Sequence, residues 1–157
     1  MSEEKQVVFR LGNESYSINI EYVKAIEQEY HIIPLPEAPE HIKGMINLRG
    51  EIIPVYSLRS RFCMEEMEKG KDNQLLIARA GVVQLAFEVD AVVGIEAIEE
   101  LQKKEVPLVV RSEATNYIGG MLNIRDQIVV EISIENILTE SEWEDIEELM
   151  KGETRDD

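Results

Sequence analysis

The chain has 157 residues, 44% of them apolar, and 32 acidic side chains against 16 basic ones, a formal net charge of −16. That is too apolar for a disordered chain and too acidic for a phosphate-reading surface, so neither nucleic acid nor anionic membrane is an expected partner. No apolar run approaches the roughly 20 residues of a membrane helix, and the start MSEEKQ is no signal peptide, so a cytoplasmic protein with no membrane insertion is expected.

The chain opens with Gln6–Leu11, a turn at Gly12-Asn13, and the alternating run Tyr16–Ile20. Period-2 alternation on either side of turn residues predicts strand, turn, strand. The string Ile20–Glu27 follows. A helical turn is then expected over Pro39–Gly44, with glycine stopping it. Met45–Leu48 and Glu51–Tyr56 read as a hairpin around Arg49-Gly50.

After the charged stretch Met64–Asn73 the same order returns. Gln74–Arg79, a turn at Ala80-Gly81 and Leu85–Val89 repeat the first hairpin. Ile95-Glu96 stands 69 positions after Ile26-Glu27, and IGGMLNIRDQIV at Ile118 stands 76 positions after IKGMINLRGEII at Ile42. The second copy therefore gains seven residues between these blocks, where IEELQKK reads as a short helix or turn. Ser112–Gly119 is expected to match the helical turn of the first copy, and Met121–Ile124 with Gln127–Ile134 the second hairpin.

A chain built twice from short strands fits two small packed β-barrels, since closure removes exposed edges and a ~60-residue unit alone is marginal. The expected division is residues 1–63 as the first barrel, 64–73 as an exposed connector, 74–138 as the second barrel, and 139–157 as a C-terminal helix and acidic tail. Ser141–Glu144 reads as that helix's capping box and Gly152 as its stop. Trp143, Ile146, Leu149 and Met150 share one face, suited to packing on a barrel or to binding a partner.

Catalytic patterns are sparse. Cys63 is single and reads as a partly buried apolar side chain, and neither His31 nor His41 has the companions of a metal site. There is no phosphate loop or nucleophile elbow. A binding module is expected, with no enzyme activity, metal or cofactor. Residues common to both copies, Gly44/Gly120 and Asn47/Asn123, suit the shared fold. Lys43, Gly50 and Pro54 belong to one copy only and are freer to serve function. Arg49, echoed by Arg125, suits either role.

At IKGMINLRGEIIPVYSLRSRF the chain resembles the CheW family of bacterial chemotaxis coupling proteins, through Ile42, Gly44, Asn47, Leu48, Arg49, Gly50, Pro54, Leu58 and Arg59. Gly12, Tyr16 and Ile18–Ile26 also fit, and the resemblance runs from about Val7 to Leu138. It implies a mainly β fold of two SH3-like five-stranded barrels. It also implies a non-catalytic adaptor, monomeric when isolated and associated with membrane receptor arrays. Such an adaptor joins the cytoplasmic tip of chemoreceptors to the regulatory domain of a CheA-type histidine kinase. By resemblance Val23, Ala25, Ile26, Arg49 and Gly50 line the receptor groove between the barrels. The kinase side falls on apolar barrel-end surface, with Val82, Leu85, Val106 and Val110 as candidates. Ala25 and Ser57 stand where many family members carry acidic residues, which suggests a different receptor set or a paralogue. A coupling protein of another chemosensory-type pathway, such as surface motility, and a small-molecule-binding double barrel are the alternatives.

Overall fold

The computed structural model describes residues 4–66, 70, 72–112 and 115–155, without the side chains at 140 and 149–155. Strands β1 (Glu4–Leu11), β2 (Glu14–Asn19), β3 (Val23–Glu27), β4 (Ile42–Leu48) and β5 (Glu51–Tyr56) come from the first copy, followed by the single turn α1 (Leu58–Arg61). The second copy supplies β6 (Gln74–Ala80), β7 (Val83–Val89), β8 (Ala91–Ile98), β9 (Lys103–Lys104), β10 (Ile118–Ile124) and β11 (Gln127–Ile132), then α2 (Ile134–Ile137) and α3 (Glu140–Arg155).

The strands form two sheets, in the orders β8-β1-β2-β11-β10-β9 (barrel I) and β3-β6-β7-β5-β4 (barrel II). The mainly β, double-barrel reading holds, with two-residue β9 added to the five strands of barrel I. The copies and the barrels do not coincide, however. Hairpin β1–β2 sits among strands of the second copy, and β6–β7 among strands of the first. The exchange is reciprocal, so the repeat survives in sequence while each barrel draws on both halves. Residues 1–63 and 74–138 therefore bound the repeats and not the barrels. Hydrophobic alternation says that a strand is half-buried; it does not say beside which strand. The joints are parallel pairs, Val130↔Tyr16 and Glu131↔Ser17 in barrel I, Val55↔Ala86 and Tyr56↔Phe87 in barrel II.

The core follows from this exchange. Along β1, Val7, Phe9 and Leu11 join the largest buried cluster, and along β6 so do Leu76, Ala78 and Ala80. This cluster includes strands of both barrels, with Ile137 of α2 and Ile146 of α3. The intervening residues face inward, Val8 into the core of barrel I and Leu75 and Ile77 into that of barrel II. Strands buried on both faces read as continuous apolar runs, which is what QLLIA at Gln74 shows. Burying one Leu or Phe is worth about 1.5–3 kcal/mol, so a shared cluster of this kind holds the two barrels as one unit.

Several local expectations change. Gly44 and Gly119 end no helix: both lie inside strands, and the register shifts there, at Ile42/Gly44 and at Ile118/Gly120. A Cβ on Gly44 would stand 2.3 Å from the Ile33 carbonyl oxygen, because the chain around Ile33 crosses β4 there through paired bonds with Met45. The segment Val106–Val110, the candidate barrel-end surface, is a loop and turn. IEELQKK, in contrast, forms the short turn expected, a 3-10 turn (Glu100–Gln102), and adds strand β9 after it.

The α3 capping box sits at Thr139 and Glu142, two residues before the expected one. Glu142 N donates to Thr139 Oγ1 at 3.1 Å and Thr139 N donates to Glu142 Oε1 at 2.9 Å. The helix runs through Gly152 to Arg155. Trp143 packs against the central cluster, while Leu149 and Met150 lie outside the described side chains. Cys63 is exposed, not partly buried: it holds a φ of 59° just past α1, with its N–H on the Ser60 carbonyl. Of the connector, Glu65, Glu66, Gly70 and Asp72 are exposed, and 67–69 and 71 lie outside the described residues.

Candidate docking surface

The two copies close their second hairpins with the same turn. Arg49 and Gly50 have φ of 53° and 91°, Arg125 and Asp126 of 51° and 66°. Two successive positive φ angles make a type I′ reversal, which matches the twist of the flanking strands. Asn47 Oδ1 accepts from Gly50 N at 3.0 Å, and Asn123 Oδ1 accepts from Asp126 N at 3.0 Å. The shared Asn thus serves the fold, as expected.

The two arginines part company beyond the backbone. Arg125 Nη1 pairs with Glu96 of β8 at 2.8 Å, tying the β10–β11 turn to the edge strand at the other side of the barrel I sheet. The equivalent residues of barrel II are Arg49 and Glu27, and they do not pair. Among the described residues, the exposed Arg49 guanidinium makes no hydrogen bond or ion pair. Its turn is built by backbone and Asn47, leaving its charge available.

The other groove candidates separate by depth. All three β3 residues lie on the edge strand of barrel II. A register shift between Val23 and Ala25 changes their facing. Val23 leans on the central cluster and Ala25 on the barrel II core, both half-buried. Ile26 is the outward one, 37% exposed. Gly50 is exposed beside Arg49. The exposed candidates are thus Ile26 on β3 and the Arg49-Gly50 turn, while Val23 and Ala25 are half-buried.

Of the second set of candidates, Val82 is 82% exposed at the tip of the β6–β7 turn, and Val106 and Val110 are half-buried in the loop after β9. Leu85 is 3% exposed and belongs to the central cluster. It cannot present a surface, so that expectation is corrected: the period-2 pattern gave Leu85 a face, and the face points into the core.

Of the residues unique to one copy, Lys43 and Pro54 are engaged in the fold. Lys43 Nζ donates to Glu88 Oε1 at 2.5 Å and lies 3.5 Å from Glu66. Tyr30 OH donates to Glu88 Oε2, and burial raises the Tyr30 phenol pKa well above its ordinary value, with the Glu88 hydrogen bond adding to it. Pro54 is buried within β5. Ser57 N-caps α1 by accepting from Ser60 N at 3.1 Å, and its hydroxyl also donates to Glu66. Arg59 binds Asp90 at 2.5 Å, and Asp90 in turn accepts from Gly12 N at 2.7 Å, pinning α1 to the β1–β2 turn.

Sequence reasoning missed an aromatic ladder. Phe9, Tyr16, Phe62 and Tyr117 stack at 6.0, 5.2 and 5.0 Å between centroids, and Arg61 caps Tyr117 at 4.8 Å. Its members are scattered along the chain, and no local spacing announces it. Among the described residues no three His, Cys, Asp or Glu gather as for a metal ion, and no helix is long and apolar enough to cross a membrane. A cleft of about 520 Å3 lies between Glu40, His41, Arg61 and the start of α3. Its polar groups are largely engaged with their neighbours, His41 with Ser60 and Glu142 with Tyr56 and Thr139. Burial first, then the Glu142 charge, raises the Tyr56 phenol pKa.

Residues 5–142 match the family described as CheW-like domain. The chain belongs to that family. It is 26% identical over 146 residues to the chemotaxis protein CheW of Klebsiella aerogenes, covering 93% of this chain and 88% of the relative. The CheW of Treponema pallidum is 28% identical over 147 residues, covering 91% and 86%. The protein FrzA of Myxococcus xanthus is 27% identical over 96 residues, covering 61% and 60%. Among solved structures, the scaffolding protein TtCheW of Thermoanaerobacter tengcongensis superposes with a TM-score of 0.78 at 31% identity, covering 88% of this chain and 90% of that one. Membership carries the role of a chemotaxis coupling adaptor.

Proposed function

We propose that this CheW-type adaptor joins the cytoplasmic tip of chemoreceptors to the regulatory domain of a CheA-type histidine kinase, using the Ile26 and Arg49-Gly50 surface for the receptor. The observation that carries the reading is the unpaired Arg49. Its counterpart Arg125 is held by Glu96, whereas Arg49 is exposed and makes no hydrogen bond or ion pair among the described residues. Ile26 offers apolar contact to an amphipathic receptor helix, and Arg49 reaches carboxylates or helix-end carbonyls on it. No bond is made or broken. The adaptor, a cytoplasmic monomer when free, raises the kinase's effective concentration at the receptor array and passes receptor state on by shifting contacts. Val82 and the loop at Val106 and Val110 are the kinase-side candidates that have surface to offer.

A second reading places the same adaptor in another chemosensory-type pathway. The FrzA relative favours it, over a smaller share of the chain than the CheW relatives span.

The test is size-exclusion co-elution with a kinase regulatory domain and a receptor-tip fragment from the same organism. Arg49→Glu is expected to keep the kinase and lose the receptor. Loss of both, with an unchanged circular dichroism spectrum, removes the receptor assignment from Arg49. A wild type that ignores the kinase removes the pathway.

A further inference from the structure

Barrel I carries a polar chain through its interior. Gln6 is fully buried, and its Nε2 donates to Glu131 Oε2 at 2.7 Å and to Glu4 Oε2 at 3.0 Å. Ser17 Oγ donates to Gln6 Oε1 at 2.9 Å. Lys103 Nζ then donates to the other Glu4 oxygen at 2.6 Å, with Glu100 at 3.8 Å as a looser second partner. Five side chains on β1, β2, β11 and β9 are thereby strung together. Gly120 leaves the space for this chain, since a Cβ there would stand 3.2 Å from Glu131 Oε1.

The fold does not require the polarity. The equivalents of Gln6, Ser17 and Glu131 in barrel II are Leu75, Ala86 and Val55, all fully buried and apolar. Gln6 and Ser17 are fully buried, and replacing such polar groups by packed apolar ones is often neutral or stabilising, so stability alone does not account for them. The outer end of the chain is telling. Strand β9 is two exposed residues paired only with Met121 and Leu122. It is followed directly by the loop on which Leu108 and Val109 are 78% and 95% exposed.

We propose that the chain from Glu131 through Gln6 and Glu4 to Lys103 is a latch that holds β9 and the loop after it on barrel I, and that this edge opens without barrel II opening. The opening costs one partly exposed ion pair, two backbone pairs and the half-burial of Val106 and Val110, with the Gln102 bond to the Asn123 carbonyl at its hinge, while the shared central cluster stays intact. Low-cost local openings of this kind are the elements from which moving parts are drawn. The raised Lys103 pKa, set first by its hydrogen bond to Glu4, agrees with an engaged ammonium.

Hydrogen–deuterium exchange on the full chain tests it. Lys103→Met is expected to speed exchange over residues 103–112 and at 121–122 about fivefold, with β4 to β7 unchanged, while Lys103→Arg restores protection. Should Lys103→Met fold poorly, Glu4→Gln, which keeps an acceptor for Gln6, reads the same edge with the same expectation. Equal acceleration in both barrels, or none at residues 103–112, overturns the latch.

Discussion

Gly44 and Gly120 occupy the same place in the two barrels and do different work. In barrel II the missing Cβ admits the Ile33 backbone, and in barrel I it admits the end of the Glu131 side chain. The sister positions around them diverge likewise, Leu75, Ala86 and Val55 against Gln6, Ser17 and Glu131. The lesson is that a repeat preserves backbone requirements, such as a glycine or an Asn-capped turn, and leaves each copy free to fill the space with different chemistry. Barrel II uses that freedom to pack an apolar core. Barrel I uses it to run a polar chain from its interior to its edge.

The largest expected effect separates the two glycines. Gly44→Ala sets a methyl 2.3 Å from a backbone carbonyl already bonded to Met45 N, so the crossing segment must move. That should cost about 3 kcal/mol, in the upper range for overpacking. Gly120→Ala meets only the tip of Glu131 and should cost about 1 kcal/mol or less. Urea midpoints of the two variants check this, and equal losses would mean that the glycines serve one common need. Next in size is the conversion of barrel I into barrel II. Gln6→Leu, Ser17→Ala and Glu131→Val together should raise stability by about 2 kcal/mol, as replacing buried polar sets with packed apolar ones often does. A lower midpoint for the triple variant would show that barrel I needs its polar chain in order to fold.

Much of this fold could be read from the residues. The repeat, the strand at Glu51–Tyr56 and the I′ turns at Arg49-Gly50 and Arg125-Asp126 are local patterns, and local geometry enforces them. The exchange of β1–β2 with β6–β7 was out of reach, because strand partnership is a non-local choice that alternation leaves open. The turn expected to stop at Gly44 went wrong for a related reason: the residue that needs the glycine is Ile33, far along the chain. At the candidate site, Arg49 and Ile26 were placed where they present surface, whereas Leu85 and Lys43 were not. An inward Leu and an outward one share the same spacing, and a lysine's partner carboxylates 23 and 45 positions away carry no local signal.

The smallest effect is the sharpest on function. Arg125 is mostly exposed, and its pair with Glu96 should be worth only about 0.5 kcal/mol, so Arg125→Ala should lower the urea midpoint barely above error. Arg49→Ala should not lower it at all, since no side-chain hydrogen bond or ion pair is lost. Receptor-fragment binding should rank the pair in the opposite order, with Arg49→Ala weakening it and Arg125→Ala leaving it near wild type. The inversion is what matters. If Arg49 served its turn as a structural residue, stability and binding would fall together, and Arg125→Ala would look like its twin. A measurable stability loss in Arg49→Ala with binding retained would hand Arg49 back to the fold and leave Ile26 as the only outward-facing candidate on β3.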